Sequence, residues 1–93
     1  MTIEITHVRF NDTRATEAEI IRYKWRDLST NAVGDNDKPS LVAWVDVPSN
    51  SAVVGSGRNQ VQVGVVNPPS GQPYLRTHAD GVWNNNLVNL PQF

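Results

Sequence analysis

Apolar and polar residues alternate from Ile20 to Trp25, and the stretch before it, Ile3 to Phe10, is rich in strand-forming residues. Alternation with a period of two is typical of a strand that buries one of its faces. We therefore predict two strands. The predicted core face of the second strand carries Ile21, Tyr23 and Trp25. The short polar stretch between them, residues 11–18, predicts a loop that joins an antiparallel pair.

The following segment is polar and then changes to a helical pattern. Residues 27–39 consist mainly of turn formers with little to bury, which predicts an exposed loop. Asp37 or Lys38 then precedes Pro39, and proline suits the first turn of a helix because its missing N–H would be unpaired there anyway. Apolar residues follow at helical spacing, namely Leu41, Trp44 and Val45. We predict a short helix that packs Trp44 on the sheet and ends before the next proline.

The clearest strand pattern lies in the middle of the chain, where Val61, Val63 and Val65 occupy alternate positions. This pattern predicts a hairpin formed by residues 51–55 and 60–66. Three prolines in residues 67–73 remove ladder donors and predict a loop. The resulting order ββαβββ predicts one α+β domain over residues 1–93, with one short helix on a mostly antiparallel sheet of about five strands. A small, partly closed β-barrel with one helix is the alternative.

The last fifth of the chain contains a turn signal, Asp80-Gly81. This pair suits a type I′ turn because both central residues of that turn need positive φ. A two-residue loop there pairs Ala79 with Val82 and His78 with Trp83. One face of the hairpin then joins the core with Leu75, Thr77, Ala79 and Val82. The other face is the candidate partner surface and carries Tyr74, Arg76, His78, Trp83 and Asn85.

Two interpretations of that face are open. In the first, Leu87, Leu90 and Phe93 fold back over Trp83 as a closing strap, as is usual for a large aromatic side chain. In the second, Trp83 is exposed beside Tyr74 and Arg76, which are residue types enriched at binding hot spots. An asparagine from the Asn84-Asn85-Asn86 run suits the cap of one helical turn, which Pro91 then ends.

Composition limits the compartment and the chemistry. The 93 residues include no cysteine, which excludes disulfides and thiolate chemistry, and eight basic residues balance nine acidic ones. This balance argues against a general polyanion binder. The chain begins without a signal-peptide pattern, and no stretch approaches the roughly 20 apolar residues of a membrane helix. We expect a cytoplasmic protein that does not bind membranes.

The residues that usually carry chemistry form no recognisable pattern. The two histidines, His7 and His78, and scattered carboxylates lack the spacing of a metal site. Thr77 and His78 point to opposite faces of one strand, so they cannot form a triad with Asp80. We expect no catalytic residue, no metal and no cofactor, and therefore no enzymatic activity.

Near the end of the chain the sequence closely resembles the C-terminal signature of a family of small prokaryotic and phage proteins, domain of unknown function 3892 (DUF3892). The matching stretches are Tyr74-Leu75-Arg76-Thr77, Ala79-Asp80-Gly81, Asn86-Leu87 and Leu90-Pro91. Ile5 to Arg9 and Val61 to Val65 are similar to other shared stretches. The resemblance implies a stand-alone domain in a prokaryotic or phage cytosol, and it brings no assigned activity.

The leading hypothesis is a non-enzymatic binding or accessory module that presents the face of the C-terminal hairpin to an unknown protein partner. The alternative is nucleic-acid binding through the cationic side of the second strand, formed by Arg22, Lys24 and Arg26. Grooves that bind single strands combine cations with aromatic platforms on one surface, whereas alternation separates them here. Exposed edge strands would also permit a homodimer by sheet extension.

Overall fold

A computed structural model of the chain describes residues 1–11, 19–55, 60–79, 82–84 and 86–93, and for residues 78–79, 82–84 and 86 it describes the backbone alone. The strands are β1 (Thr2–Phe10), β2 (Ile20–Asp27), β3 (Val33–Asp37), β4 (Ser51–Val54), β5 (Val61–Val66), β6 (Tyr74–Ala79) and β7 (Val82–Asn84). Helix α1 (Lys38–Val45) connects β3 to β4, and a 3₁₀ helix (Asn86–Asn89) follows β7.

The strands form one sheet in the order β3-β2-β1-β4-β5-β6-β7. Neighbouring strands are antiparallel except for β1 and β4, which are parallel. The predicted α+β class is confirmed, although the described sheet has seven strands rather than about five. The order is linear, with β3 and β7 at the two ends, so the alternative of a partly closed barrel is wrong.

An irregular register in β1 places its apolar residues on one face. Ile3, Ile5 and Val8 are all buried although their spacing is not a strict alternation. The register with β2 passes from Ile5 opposite Trp25 to His7 opposite Lys24, so Thr6 is an extra residue of the bulge type. The Thr6 hydroxyl donates to the carbonyl oxygen of Lys24 at 3.2 Å, which satisfies a backbone acceptor where the ladder is disrupted.

A second register shift in the β1–β2 pair changes which residues of β2 face the core. Arg9 lies opposite Arg22, and Phe10 lies opposite Ile20, so Ile21 has no partner on β1. As a result Ile20 is fully buried while Ile21 is 39% exposed. The prediction that Ile21 faces the core is therefore wrong, whereas Tyr23 is fully buried as predicted.

Strand β3 lies inside the segment that the sequence predicts to be a loop, and that prediction is wrong. Only residues 28–32 form the connection, which Asp27 organises by accepting a hydrogen bond from the Ser29 amide at 2.7 Å. β3 itself is poor in strand formers, because it contains glycine, asparagine and two aspartates. Its pairing with β2 compensates, since Asp35 and Asp37 lie opposite Lys24 and Arg22.

Helix α1 confirms the predicted start and packing. Asp37 is the N-cap, and its carboxylate accepts a hydrogen bond from the Ser40 amide at 3.0 Å. Leu41 and Val42 are buried, and Trp44 packs against the core from a half-buried position. The helix contacts β2, β3, β5 and β6, so it lies across the core face of the sheet.

The second half of the sheet follows the predicted hairpins. β4 and β5 pair as expected, although residues 56–59 between them lie outside the described residues. On β6, Leu75 and Thr77 are fully buried. Ala79 pairs with Val82 and His78 with Trp83, which is the register that a two-residue connection requires. The predicted type I′ turn at Asp80 and Gly81 lies outside the described residues.

The end of the chain is held against β1. The Val8 amide donates to the Pro91 carbonyl at 3.0 Å, and the Phe93 amide donates to the Val8 carbonyl at 3.3 Å. The Arg9 guanidinium stacks 4.6 Å from the centroid of the Phe93 ring. Leu87 is fully buried in the core, and Leu90 packs beside it. This segment is therefore a strap on β1. The Trp83 side chain, which only the first of the two interpretations covers with the strap, lies outside the described residues.

We expect the strap to contribute strongly to stability. Leu87→Ala should lower the free energy of unfolding by about 2–5 kcal/mol, because it leaves a cavity in the core. Asn89→Ala, on the same turn at an exposed position, is the matched control and should change it by less than about 0.5 kcal/mol. Urea unfolding followed by circular dichroism measures both, and equal effects of the two substitutions would show that the strap is not part of the core.

The cap of α1 predicts a dependence of stability on pH. Hydrogen bonds from the Ser40 hydroxyl and amide hold the pKa of Asp37 below its usual range. A carboxyl with a lowered pKa in the folded state stabilises the fold above its unfolded pKa of about 4, and this contribution is lost as the pH falls through the folded pKa. Asp37→Asn keeps a capping oxygen but cannot titrate. Urea unfolding at pH 6 and pH 2.5 should therefore show a smaller loss for Asp37→Asn than for the wild type, and equal losses would contradict this role.

Candidate functional site

A cleft with two tryptophans lies between α1 and the β3 end of the sheet. It encloses about 110 Å³. Its lining residues, which we call the tryptophan cleft, are Met1, Ile3, Trp25, Asn36, Ser40, Leu41 and Trp44. Met1 is 59% exposed and Ser40 is exposed, so the cleft reaches the surface.

Trp25 forms the wall of the cleft on the sheet side. It extends from β2 over Gly34 of β3, and a Cβ atom at Gly34 would lie only 2.7 Å from the Trp25 ring. The absence of a side chain at Gly34 therefore allows the ring to lie against the backbone of the edge strand. The Trp25 indole N–H donates to the Asn36 side-chain oxygen at 2.8 Å, which fixes the ring and leaves the amide NH₂ of Asn36 at the cleft.

Helix α1 forms the opposite wall through three lining residues. Ser40 and Trp44 are four positions apart and share one side of the helix, with Leu41 between them. The carbonyl of Trp44 accepts a hydrogen bond from the Asn50 side chain at 3.1 Å, so the last turn of the helix is tied to the chain that follows it. The Ser40 hydroxyl is held by the Asp37 carboxylate, which places a hydrogen-bonded polar group at the rim.

The start of β1 closes the third side. The Ser51 amide donates to the Met1 carbonyl at 2.9 Å, and the Met1 amino group donates to the Ser49 carbonyl at 3.0 Å. These bonds position the flexible Met1 side chain beside the fully buried Ile3. Methionine adapts its shape to a partner group, which suits the rim of a binding site.

The lining of the tryptophan cleft is mainly apolar. The side chains of all seven lining residues are uncharged, and five of them are apolar. Aromatic and aliphatic walls with a few convergent polar groups are characteristic of ligand sites. The volume is smaller than the roughly 300–1,000 Å³ of a typical small-molecule site, so the cleft matches one group of side-chain size.

The predicted partner surface on the C-terminal hairpin lies at the other end of the sheet from this cleft. Tyr74 and Arg76 are half-buried on β6, on the face opposite the buried Leu75 and Thr77. The side chains of the other predicted members, His78, Trp83 and Asn85, lie outside the described residues. The structure therefore does not test this surface as a unit.

The predicted basic strand carries its cations on the face opposite Tyr23 and Trp25, in a mixed-charge environment. Arg22 forms an ion pair with Asp35 at 3.3 Å. Arg26 forms one with Glu4 at 2.8 Å. Lys24 lies opposite Asp35 in the β2–β3 register. Each cation of this strand thus has a carboxylate on a neighbouring strand, and the surface is not a continuous positive stripe.

The described residues provide neither a cluster of metal ligands nor a membrane-spanning helix. In that part of the chain, no three histidine or acidic side chains are grouped closely enough to hold a metal ion. No helix there is both long enough and apolar enough to cross a lipid bilayer.

Sequence reasoning missed the tryptophan cleft because it assigned Trp25 and Trp44 to the core. Both do pack on the core, but each is half-buried and also faces the cleft. The missing information was the position of Gly34, which the sequence placed in a loop. A correct prediction of β3 would have paired this glycine with a tryptophan on the neighbouring strand, and that pairing would have indicated the cleft.

We expect the Trp25 ring to depend on the absence of a side chain at Gly34. Gly34→Ala should lower the free energy of unfolding by about 1–3 kcal/mol, because the added methyl group must displace the ring. In a Trp25→Val background the same substitution should be neutral or stabilising, since alanine is otherwise favoured over glycine in a strand. Urea unfolding of the four proteins provides this cycle, and an equal cost of Gly34→Ala in both backgrounds would contradict the packing.

Comparisons with known proteins identify the family and nothing beyond it. The family model described as "Protein of unknown function (DUF3892)" matches residues 4–91. No curated protein and no solved structure matches the chain. The match includes the C-terminal hairpin and every lining residue of the tryptophan cleft other than Met1 and Ile3. The chain therefore belongs to the DUF3892 family of proteins of unknown function.

Proposed function

We propose that this protein is a non-enzymatic binding module that holds one apolar group of a partner molecule in the tryptophan cleft. The observation that carries the proposal is a surface cleft of about 110 Å³ walled by Trp25 and Trp44. Large aromatic side chains that remain partly accessible are frequent anchors of binding interfaces. Asn36 and Ser40 add polar groups at the rim that fix the orientation of a bound group.

The cleft favours binding over catalysis because it lacks a side chain that transfers protons in the neutral pH range. Its lining contains no carboxylate, histidine, lysine or cysteine. The carboxylate next to it, that of Asp37, accepts hydrogen bonds from the Ser40 hydroxyl and amide, which lower the pKa of Asp37 and make it a weak general base for a serine nucleophile. The arrangement holds the helix cap in place, which is a positioning role.

The surface that the sequence predicts on the C-terminal hairpin is a second location for the same function. Its described members, Tyr74 and Arg76, are half-buried and project from β6 on the side away from the core. That geometry is compatible with partner contact, but the side chains of the other three predicted members lie outside the described residues. The tryptophan cleft therefore carries the proposal, and the hairpin surface stays a prediction.

Nucleic-acid binding through Arg22, Lys24 and Arg26 has less support. Affinity for a phosphate backbone comes from unpaired cations that release counterions. Here Glu4, Asp35 and Asp37 are interspersed on the same face, and two of the three cations are in ion pairs. The aromatic residues of β2 face the core side, where they cannot stack on bases bound at the cationic side.

The proposal is tested with a minimal apolar probe. N-acetyl-leucine N-methylamide should shift the indole N–H resonances of Trp25 and Trp44 in ¹H–¹⁵N spectra, with saturation. N-acetylglycine N-methylamide is the matched ligand control. Burying a leucine side chain is worth about 1.5–3 kcal/mol, so the leucine compound should bind roughly tenfold or more tightly.

A blocking variant links the effect to the cleft. Ser40→Leu adds an apolar side chain at the rim and should abolish the shifts. Ala43→Leu adds the same side chain at an exposed position of α1 that does not line the cleft, and it should retain them. Equal binding of the two probes, or wild-type binding by Ser40→Leu, would show that the cleft is not a binding site.

A further inference from the structure

We propose that the open edge of β3 accepts an extended segment of a partner protein, in which an apolar side chain flanked by lysine or arginine enters the tryptophan cleft. This inference rests on the proposed function of the cleft and names its partner. Three features support it: the position of β3 in the sheet, the different chemistry of its two faces, and the sequence of the strand with which it already pairs.

The position of β3 leaves one of its sides available. It pairs with β2 over Val33–Asp37 and stands at one end of the described sheet. Alternate backbone groups of an end strand point away from the sheet and can pair with an added strand. Extended peptides bind many domains in this way, with main-chain hydrogen bonds providing affinity and pockets for alternate side chains providing specificity.

The two faces of β3 present different chemistry. On the outer face lie Val33, Asp35 and Asp37, all exposed. On the opposite face lie Gly34, against which Trp25 packs, and Asn36, which lines the tryptophan cleft. A strand added at this edge therefore meets carboxylates on one side and an apolar cleft on the other, because successive side chains of a strand point to opposite faces.

Strand β2 shows which side-chain pattern β3 accepts. Its cations Arg22 and Lys24 lie opposite Asp37 and Asp35, while Tyr23 and Trp25 lie opposite Asn36 and Gly34. A strand on the free side meets the same two faces of β3, so the same alternation of cationic and apolar residues is complementary there. The Asp35 side chain is 47% exposed even though it pairs with Arg22, which leaves it accessible to a second cation.

The same features disfavour a second copy of this chain as the occupant. In an antiparallel β3–β3 pairing centred on Asp35, that carboxylate would face its own copy, and like charges directly opposite each other are destabilising. The size of the cleft disfavours a free cofactor-sized ligand, because about 110 Å³ accommodates one side chain. A partner segment of alternating cationic and apolar residues is complementary both to the carboxylates of β3 and to the volume of the cleft.

The test uses fluorescein-labelled seven-residue peptides and fluorescence anisotropy with the full chain. The first peptide has a central leucine flanked by lysine and arginine, with threonine and glycine elsewhere. We expect it to bind at least tenfold more tightly than N-acetyl-leucine N-methylamide. The second peptide has glutamates in place of the two cations, and the third carries N-methylated backbone amides on both sides of the leucine. Both should bind at least fivefold more weakly than the first.

Protein variants separate the charge contribution from general effects. Asp35→Asn should weaken the first peptide about two- to fivefold at low salt, as expected for a solvent-exposed ion pair, and less at high salt. Asp46→Asn removes a carboxylate at the far end of α1 and is the matched control. Equal effects of the two variants would overturn the assigned role of the β3 carboxylates.

The outcomes distinguish this inference from the proposed function. If the leucine compound binds but none of the peptides exceeds its affinity, the cleft is a binding site and the edge-strand partner is wrong. If neither the compound nor the peptides bind, both proposals fail. Sedimentation equilibrium at the same concentrations tests whether a second copy of the chain occupies the edge instead. A dimer that the first peptide cannot dissociate would show that it does.

Discussion

Strand β1 is the constraint on which the rest of the structure depends, because it pairs with β2 along one side and with both β4 and the strap on the other. β2 follows it antiparallel from Ile3 to Phe10. On its other side, β4 pairs with Thr2 to Glu4, and the strap then takes over at Val8. The bulge at Thr6 keeps the core residues before and after it on one face. Segments from both halves of the chain thus meet on one strand.

This arrangement makes the fold depend on contacts between distant parts of the sequence. β4 can pair with β1 only after β2, β3 and α1 have returned the chain to the end of the sheet at which β1 begins, because a parallel pair needs a crossover connection. The strap joins β1 across more than 80 residues, from Val8 to Pro91. Non-local pairings of this kind slow folding, since loop closure precedes the contacts that compensate for it.

Local patterns were sufficient to predict the elements whose own residues encode them. β1 follows from its strand-forming residues, β5 from alternation, and the hairpin register at Ala79 and Val82 from turn chemistry. Helix α1 follows from Asp37 and Pro39. These patterns did not predict that β4 pairs with β1 in parallel, because local sequence does not encode which strands pair. Ile21 was assigned to the wrong face since a bulge changes the phase of the alternation without a distinct sequence signal.

Strand β3, which the local pattern did not predict, is a second case in which contacts between strands decide the structure, and it forms part of the candidate site. Its residues would favour a loop in isolation, and they become a strand because β2 supplies cations opposite Asp35 and Asp37 and a tryptophan ring over Gly34. A strand of valine and isoleucine would form more readily, but at the end of a sheet it would also be a template for self-association. β3 avoids that hazard because residues of β2 specify its pairing, and the same glycine that weakens the strand lets the Trp25 ring lie against it as one wall of the tryptophan cleft. The tryptophan cleft was therefore not predictable from the sequence, because its geometry arises from cross-strand packing rather than from any local motif.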